Sequence, residues 1–246
     1  MATYFGEVVF PSSRAFWDEN EGEELTDELE EEMQININWL KDKPVSMKKL
    51  IIVEGEIIIG TDMKNFLKEG LCHDAKEICN IQDECNKELA VIYQVNEDLY
   101  VCIIARNFDT KLAGEFVIKI SDILSISKSI YLITWRHVSQ YKSANIPNVP
   151  SFLRCLYTKN ASDLCKSHKE ILEKPNIIYG VAAGILSFAQ MMEYQSVLYV
   201  LYTDNFMLDS LAAEPLIEIF AEISNQDLHN ITFIGKSFFN KGNLYI

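Results

Sequence analysis

Basic residues are scarce in this sequence. Its 246 residues hold 22 Lys and Arg against 36 Asp and Glu, for a net charge of −14. Such a chain is repelled by phosphate backbones and anionic lipid, which disfavours nucleic acid and membrane surfaces as partners and favours basic protein surfaces. Glycine is also sparse, at 10 residues. None of it falls into GxGxxG or GxxxxGK[ST], so the backbone cradle of dinucleotide and P-loop folds is missing. A GxSxG elbow is absent too, because Gly184-Ile-Leu-Ser187-Phe188 has the wrong spacing. The six cysteines, Cys72, Cys79, Cys85, Cys102, Cys155 and Cys165, form no CxxC pair and read as reduced thiols. No apolar run suits a bilayer span. The best candidate, residues 177–192, is interrupted by Gly180, Gly184, Ser187 and Gln190. Met1 is followed by Ala-Thr-Tyr-Phe-Gly-Glu, which lacks the basic start and apolar stretch of a secretory leader. The expectation is a cytoplasmic protein, with the nucleus as a second location. No membrane insertion, metal or other cofactor is expected.

What is present is the material of a globular core. Hydrophobic residues make up 48% of the chain and charged residues 24%, which rules out a wholly disordered protein. The charge is uneven: ten of the fifteen residues from 18 to 32 are Asp or Glu. A block of like charge stays solvated and extended or weakly helical. Ahead of it lies an apolar, β-prone segment containing Tyr4, Phe5, Val8, Val9 and Phe10. That segment either pairs at a sheet edge or serves as a docking peptide on an acidic tether.

From Met33 the alternation Met33, Ile35, Ile37, Trp39 has period two and predicts a strand, ended by Pro44. Residues 50–53 predict a short buried strand. Residues 57–59 follow, and Thr61 is placed to cap a helix carrying Met63, Phe66 and Leu67. Residues 89–95 and 99–105 flank Asn96-Glu97-Asp98 and predict a hairpin. Residues 115–126 put Phe116, Val117, Ile120, Ile123 and Leu124 on one helical face. Residues 130–134 predict a strand, 180–194 a well-buried helix, and 197–202 a strand buried on both faces. Residues 207–223 return to helical spacing through Leu208, Leu211, Leu216, Ile219 and Phe220. Helix and strand therefore alternate from about residue 46, which predicts a three-layer α/β sandwich around a mixed central sheet.

No catalytic constellation emerges. Cys72, His73, Cys79 and Cys85 form the one Cys/His cluster, and its gaps are too long and irregular for zinc. Arg136 and His137 follow a strand, where α/β enzymes place chemistry, but no carboxylate or nucleophile is near in sequence. Asp204 also closes a strand and reads as the cap of the next helix. The last three residues, Leu244, Tyr245 and Ile246, offer an apolar anchor, a ring with a hydroxyl and a free α-carboxylate. A pocket with a cation at its base can satisfy all three. Chance delivers such an ending about 2% of the time at this composition, so alone it decides little.

Several segments together resemble the proteasome assembly chaperones. They are the start Met1-Ala-Thr-Tyr4-Phe5-Gly-Glu-Val8-Val9 before the acidic run, then Thr134-Trp-Arg136-His137-Val-Ser-Gln-Tyr141-Lys142, Phe152-Leu153-Arg154, and Glu173-Lys-Pro175-Asn176-Ile177. Tyr202-Thr203-Asp204 and the C-terminal Asn243-Leu244-Tyr245-Ile246 complete the set, in order. The resemblance implies an α/β fold related to phosphorylase-like enzymes without their activity. It also implies heterodimerisation with proteasome assembly chaperone 2 and support of proteasome α-ring assembly. The tail would be an HbYX motif that docks between α subunits through Leu244, Tyr245 and Ile246. The implied organisation is a docking segment at 1–17, an acidic tether at 18–32, an α/β chaperone domain at 33–235 and a docking tail at 236–246. Competing readings are a small-molecule enzyme using Arg136, His137 and Asp204 on a nucleoside or phosphate, and a generic acidic scaffold.

Overall fold

The structure is a computed structural model and describes residues 34–54, 75–164, 170–204 and 210–225. In chain order these form β1 (Asn36–Trp39), β2 (Met47–Val53), β3 (Lys76–Gln82), β4 (Glu88–Gln94), β5 (Leu99–Ile104), α1 (Ala113–Lys119), α2 (Ser121–Ser125), β6 (Ser127–His137), β7 (Ser151–Tyr157), α3 (Val181–Met191), β8 (Ser196–Thr203) and α4 (Ser210–Ser224). The strands make one mixed sheet in the order β1-β3-β4-β5-β2-β6-β8-β7. Strands β5, β2, β6 and β8 are parallel neighbours. β1, β3 and β4 extend this block antiparallel on one side, and β7 closes it antiparallel on the other.

Parallel strands covered on both faces need apolar residues at every position. In β8 all eight residues are buried. Successive side chains alternate between two cores. Leu198, Val200 and Tyr202 join Phe116, Val117, Ile123, Leu124, Val181 and Ile185 on the face covered by α1, α2 and α3. Val197, Tyr199 and Leu201 join Leu216, Ile219, Phe220 and Ile223 of α4 on the other. The result is the expected three layers, helix, sheet and helix.

The predicted strand around residues 33–39 is β1, and the short run at 50–53 is the C-terminal half of β2. The hairpin is β4–β5. Its turn is set by Asn96, whose Oδ1 accepts from the Asp98 and Leu99 N–H groups, each at 2.9 Å. The single helix expected over 115–126 is two short helices meeting at Ile120 (φ −86, ψ 4), with all five apolar residues still buried.

Two expectations are corrected. Helix and strand do not alternate throughout, because β3, β4 and β5 follow one another as an antiparallel meander. Helix α3 is buried on one face only: Val181, Ala182, Ile185 and Ala189 point inward, while Met191 and Met192 are exposed. The cap expected at Asp204 turns on residues 205–209, which lie outside the described residues. The residues 57–59, Thr61, Met63, Phe66, Leu67 and Leu208 lie outside the described residues.

Candidate functional site

The docking residues expected from the sequence, Leu244, Tyr245 and Ile246 with Tyr4, Phe5, Val8, Val9 and Phe10, lie outside the described residues. So do the acidic tether, 18–32, and the whole tail segment, 236–246. The described chemistry concentrates at the carboxyl ends of the parallel strands, where Glu54 follows β2, Ala105 follows β5 and His137 ends β6.

Glu54 receives two backbone donors from the first turn of α3. Val181 N–H donates to Oε1 at 2.6 Å and Ala182 N–H to Oε2 at 2.8 Å. The first turn of a helix has unpaired N–H groups and the positive end of the helix dipole, so a carboxylate there is doubly favoured. The close approach needs glycine at 180. Gly180 has φ +96, and a Cβ there would collide with Glu54 Oε1. Helix N-termini seat anions in many α/β proteins. Here the chain's own glutamate fills that position.

Arg136 and His137 end β6 beside this cap. Arg136 donates from Nη1 to the Trp135 carbonyl at 2.7 Å and to Thr134 Oγ1 at 3.0 Å, and from Nη2 to the Tyr179 carbonyl at 2.6 Å. Its guanidinium lies over the Tyr179 ring, 4.5 Å from the centroid. All of these partners are neutral, and the buried Nε–H has no acceptor. His137 Nδ1 is 2.8 Å from Ser139 Oγ and accepts from the Ser139 N–H at 3.2 Å, capping the short turn that follows β6. These residues border a cleft of about 420 Å³ that takes in Glu54, Arg106, Phe108, Trp135, Tyr179 and Gly180 as well. Asp204 is not part of its lining, so the catalytic trio weighed from the sequence is not assembled there.

Four segments of the family resemblance meet at one corner of the sheet. Tyr141, Phe152 and Tyr202 form an aromatic cluster with centroids 4.9 to 5.3 Å apart. Burial pushes the Tyr202 hydroxyl up to about 12. Arg154, buried in edge strand β7, donates from Nε to the Tyr141 hydroxyl at 3.0 Å and from Nη1 to the Leu153 carbonyl at 2.9 Å. It also pairs with Glu170 at 2.7 Å. The Tyr141 hydroxyl in turn donates to Glu173 Oε1 at 3.0 Å. Asn176 fastens the same loop to Lys142: its Oδ1 accepts from Lys142 N–H and its Nδ2 donates to Lys142 O. The outer edge of β7 is covered where Cys155 N–H donates to Glu170 O and Leu172 N–H to Cys155 O. This protects an edge strand from stray pairing.

Of the cysteine cluster, Cys79 is buried in β3 and Cys85 is exposed in the turn after it; Cys72 and His73 lie outside the described residues. Burial first, and then Glu77, push the Cys79 thiol up to about 11. Among the described residues no three His, Cys, Asp or Glu groups converge on a metal-sized space.

Glu54 and Tyr179 were not singled out in the sequence, and Arg154 was named only within the family resemblance. The signal for Glu54 was a carboxylate placed directly after a buried parallel-type strand. Tyr179 and Arg154 carry none that is local, because their partners are distant in the chain.

The protein-family model described as "Proteasome assembly chaperone 4" matches residues 78–241, two thirds of the chain. Proteasome assembly chaperone 1 of Homo sapiens is 26% identical over 248 aligned positions, covering 87% of this chain and 85% of the relative. The Danio rerio protein of the same name is 26% identical over 245, covering 87% of each. Among solved structures, Pyrococcus furiosus PbaA, an archaeal homolog of proteasome-assembly chaperone, superposes with a TM-score of 0.59 at 14% identity, over 79% of this chain and 87% of that one. PbaB of the same organism, an archaeal proteasome activator, gives 0.57 at 12%, over 79% and 90%. These two likenesses are of fold. The family number differs from that of the sequence relatives, but the words are shared, and the chain belongs to the proteasome assembly chaperone family.

Proposed function

We propose that this protein is a non-catalytic chaperone of proteasome assembly. It works as a heterodimer with proteasome assembly chaperone 2, promotes formation of the 20S α-ring and prevents off-pathway association of α-rings. The observation that carries the reading is the family match, which runs through most of the chain and includes the corner built from Tyr141, Arg154 and Glu173. The filled N-terminus of α3 supports it, because a phosphorylase-like enzyme would need an anion seat that Glu54 already occupies. A relation to phosphorylase-like folds is part of the same proposal. So is a cytoplasmic location with a nuclear pool.

In this reading the tail docks between neighbouring α subunits. Leu244 fills an apolar site, Tyr245 places its ring and hydroxyl, and the Ile246 carboxylate meets a cation. A three-residue ligand binds weakly alone. A folded body touching the same ring makes the tail's binding intramolecular, so several weak anchors add up and can still release. Basic faces of α subunits suit a chain of charge −14.

Co-purification tests this. Full-length protein expressed in cells should recover the partner chaperone and α-ring intermediates. Tyr245→Ala and deletion of residues 244–246 should lose the α subunits and keep the partner. Equal recovery of α subunits by all three proteins rejects the tail's role; recovery of none by the full-length protein rejects the function.

A further inference from the structure

A cleft lies at the carboxyl ends of β5, β2 and β6, apart from the expected docking segments. Its volume, about 420 Å³, is that of a small-molecule site. Three aromatic residues line it, Phe108, Tyr179 and Trp135, the last with its side chain packed towards the α4 core. Two are held in place. Phe108 packs edge-on against buried Phe116 at 5.2 Å, and Tyr179 is fixed under the Arg136 guanidinium by the 4.5 Å stack and the 2.6 Å hydrogen bond to its carbonyl. Aromatic walls fixed before a ligand arrives cost little to order when it binds.

The charge of the cleft is the reverse of the molecule's. Glu54 is its acid, and both carboxylate oxygens are committed to α3. Among the described residues Arg136 bonds to neutral acceptors alone and its Nε–H lacks an acceptor, so with Arg106 the cleft holds two guanidinium groups against one carboxylate. Arg106 is exposed at the border and makes no ion pair among the described residues. In a chain of net charge −14 such a site draws small anions. Rings supply stacking surface and arginines supply planar, fork-shaped donors to phosphate or carboxylate.

We propose that this cleft binds a small planar anion, a flat ring bearing a phosphate or carboxylate group, stacked against Phe108 and Tyr179 with its charge between Arg106 and Arg136. The site is one of binding, independent of the tail and of any ring contact.

The test uses the purified full-length chain in ligand-observed saturation-transfer NMR, with AMP and benzoate as the two anionic probes and adenosine as the uncharged control. Saturable binding of AMP or benzoate, with adenosine at least about tenfold weaker, is expected. Which probe binds more tightly separates phosphate from carboxylate as the recognised group. Arg106→Gln and Tyr179→Ala should each weaken the bound probe about tenfold while melting close to the wild-type temperature. Arg106 is exposed and Tyr179 more than half so, hence both variants should fold. No saturation by either anion up to about 10 mM, or affinity unchanged in Arg106→Gln, overturns the proposal.

Discussion

Glu54 Oε1 stands 2.6 Å from the Val181 backbone N–H, a contact between residues 127 positions apart. It ties the end of the central strand β2 to the start of α3. Replacing Glu54 with Ala leaves the Val181 and Ala182 N–H groups without their acceptors and removes a charge from the dipole's positive end. A loss of about 1–2 kcal/mol is expected in urea unfolding. Gly180→Ala should cost about 2–3 kcal/mol, from the positive φ together with the clash against Glu54. Because part of that cost is the clash, the double variant should be more stable than the two single losses predict. Simple additivity would mean that backbone conformation alone explains the glycine.

The Tyr141 hydroxyl both accepts from Arg154 and donates to Glu173. Tyr141→Phe keeps the aromatic cluster and leaves a buried arginine short of an acceptor, for an expected loss of about 1–3 kcal/mol. The pH dependence has a definite sign. Hydrogen bonding from Ser143 first, and from Tyr141 second, holds the Glu173 carboxyl below its ordinary range. That stabilisation is present above the ordinary carboxylate range and is lost as pH falls through Glu173's lowered value. The acid limb of the stability profile, followed by thermal melting, should be shallower in Tyr141→Phe.

Residues whose partners are local were legible in the sequence, and those with remote partners were not. Strand β8 could be seen because Val197 to Tyr202 is apolar without a break, and the β4–β5 turn because Asn96 organises it within three residues. Strand β3 was hidden. Its register shifts between Glu77 and Cys79 and again between Ile81 and Gln82, which destroys the period-two pattern. Strand β7 carries Arg154 in its middle, and a buried arginine looks wrong for a strand until Tyr141 and Glu170 are beside it. The cleft was half visible: Arg136 and His137 were picked out from the end of a strand, while Glu54 and Tyr179 gain meaning only through α3 and the loop before it.

Thiol reactivity should separate the described cysteines. Cys85 is exposed, whereas Cys79, Cys102 and Cys155 are buried, and burial pushes the Cys79 and Cys102 thiols up, away from the reactive thiolate. Brief treatment of native protein with iodoacetamide, followed by peptide mass mapping, should label Cys85 and leave the other three largely unmodified until denaturant is added. Rapid native labelling of Cys79 would mean that the β1–β3 edge opens on the timescale of the reagent.

The segment carrying Tyr4, Phe5, Val8, Val9 and Phe10 is followed by ten acidic residues within fifteen positions. As a third anchor beside the tail and the folded body, it would add to ring affinity through effective concentration rather than through a strong contact of its own. Deleting residues 1–17 should then weaken binding to α-ring intermediates about tenfold, measured with immobilised α subunits, and leave heterodimer formation unchanged. The tether makes a further distinction. Replacing the acidic residues of 18–32 with Ser and Gly should reduce the salt dependence of association if the run steers the chain towards basic α-subunit faces, with a smaller change in dissociation rate. Ring affinity that survives the 1–17 deletion intact would confine docking to the tail and the folded body.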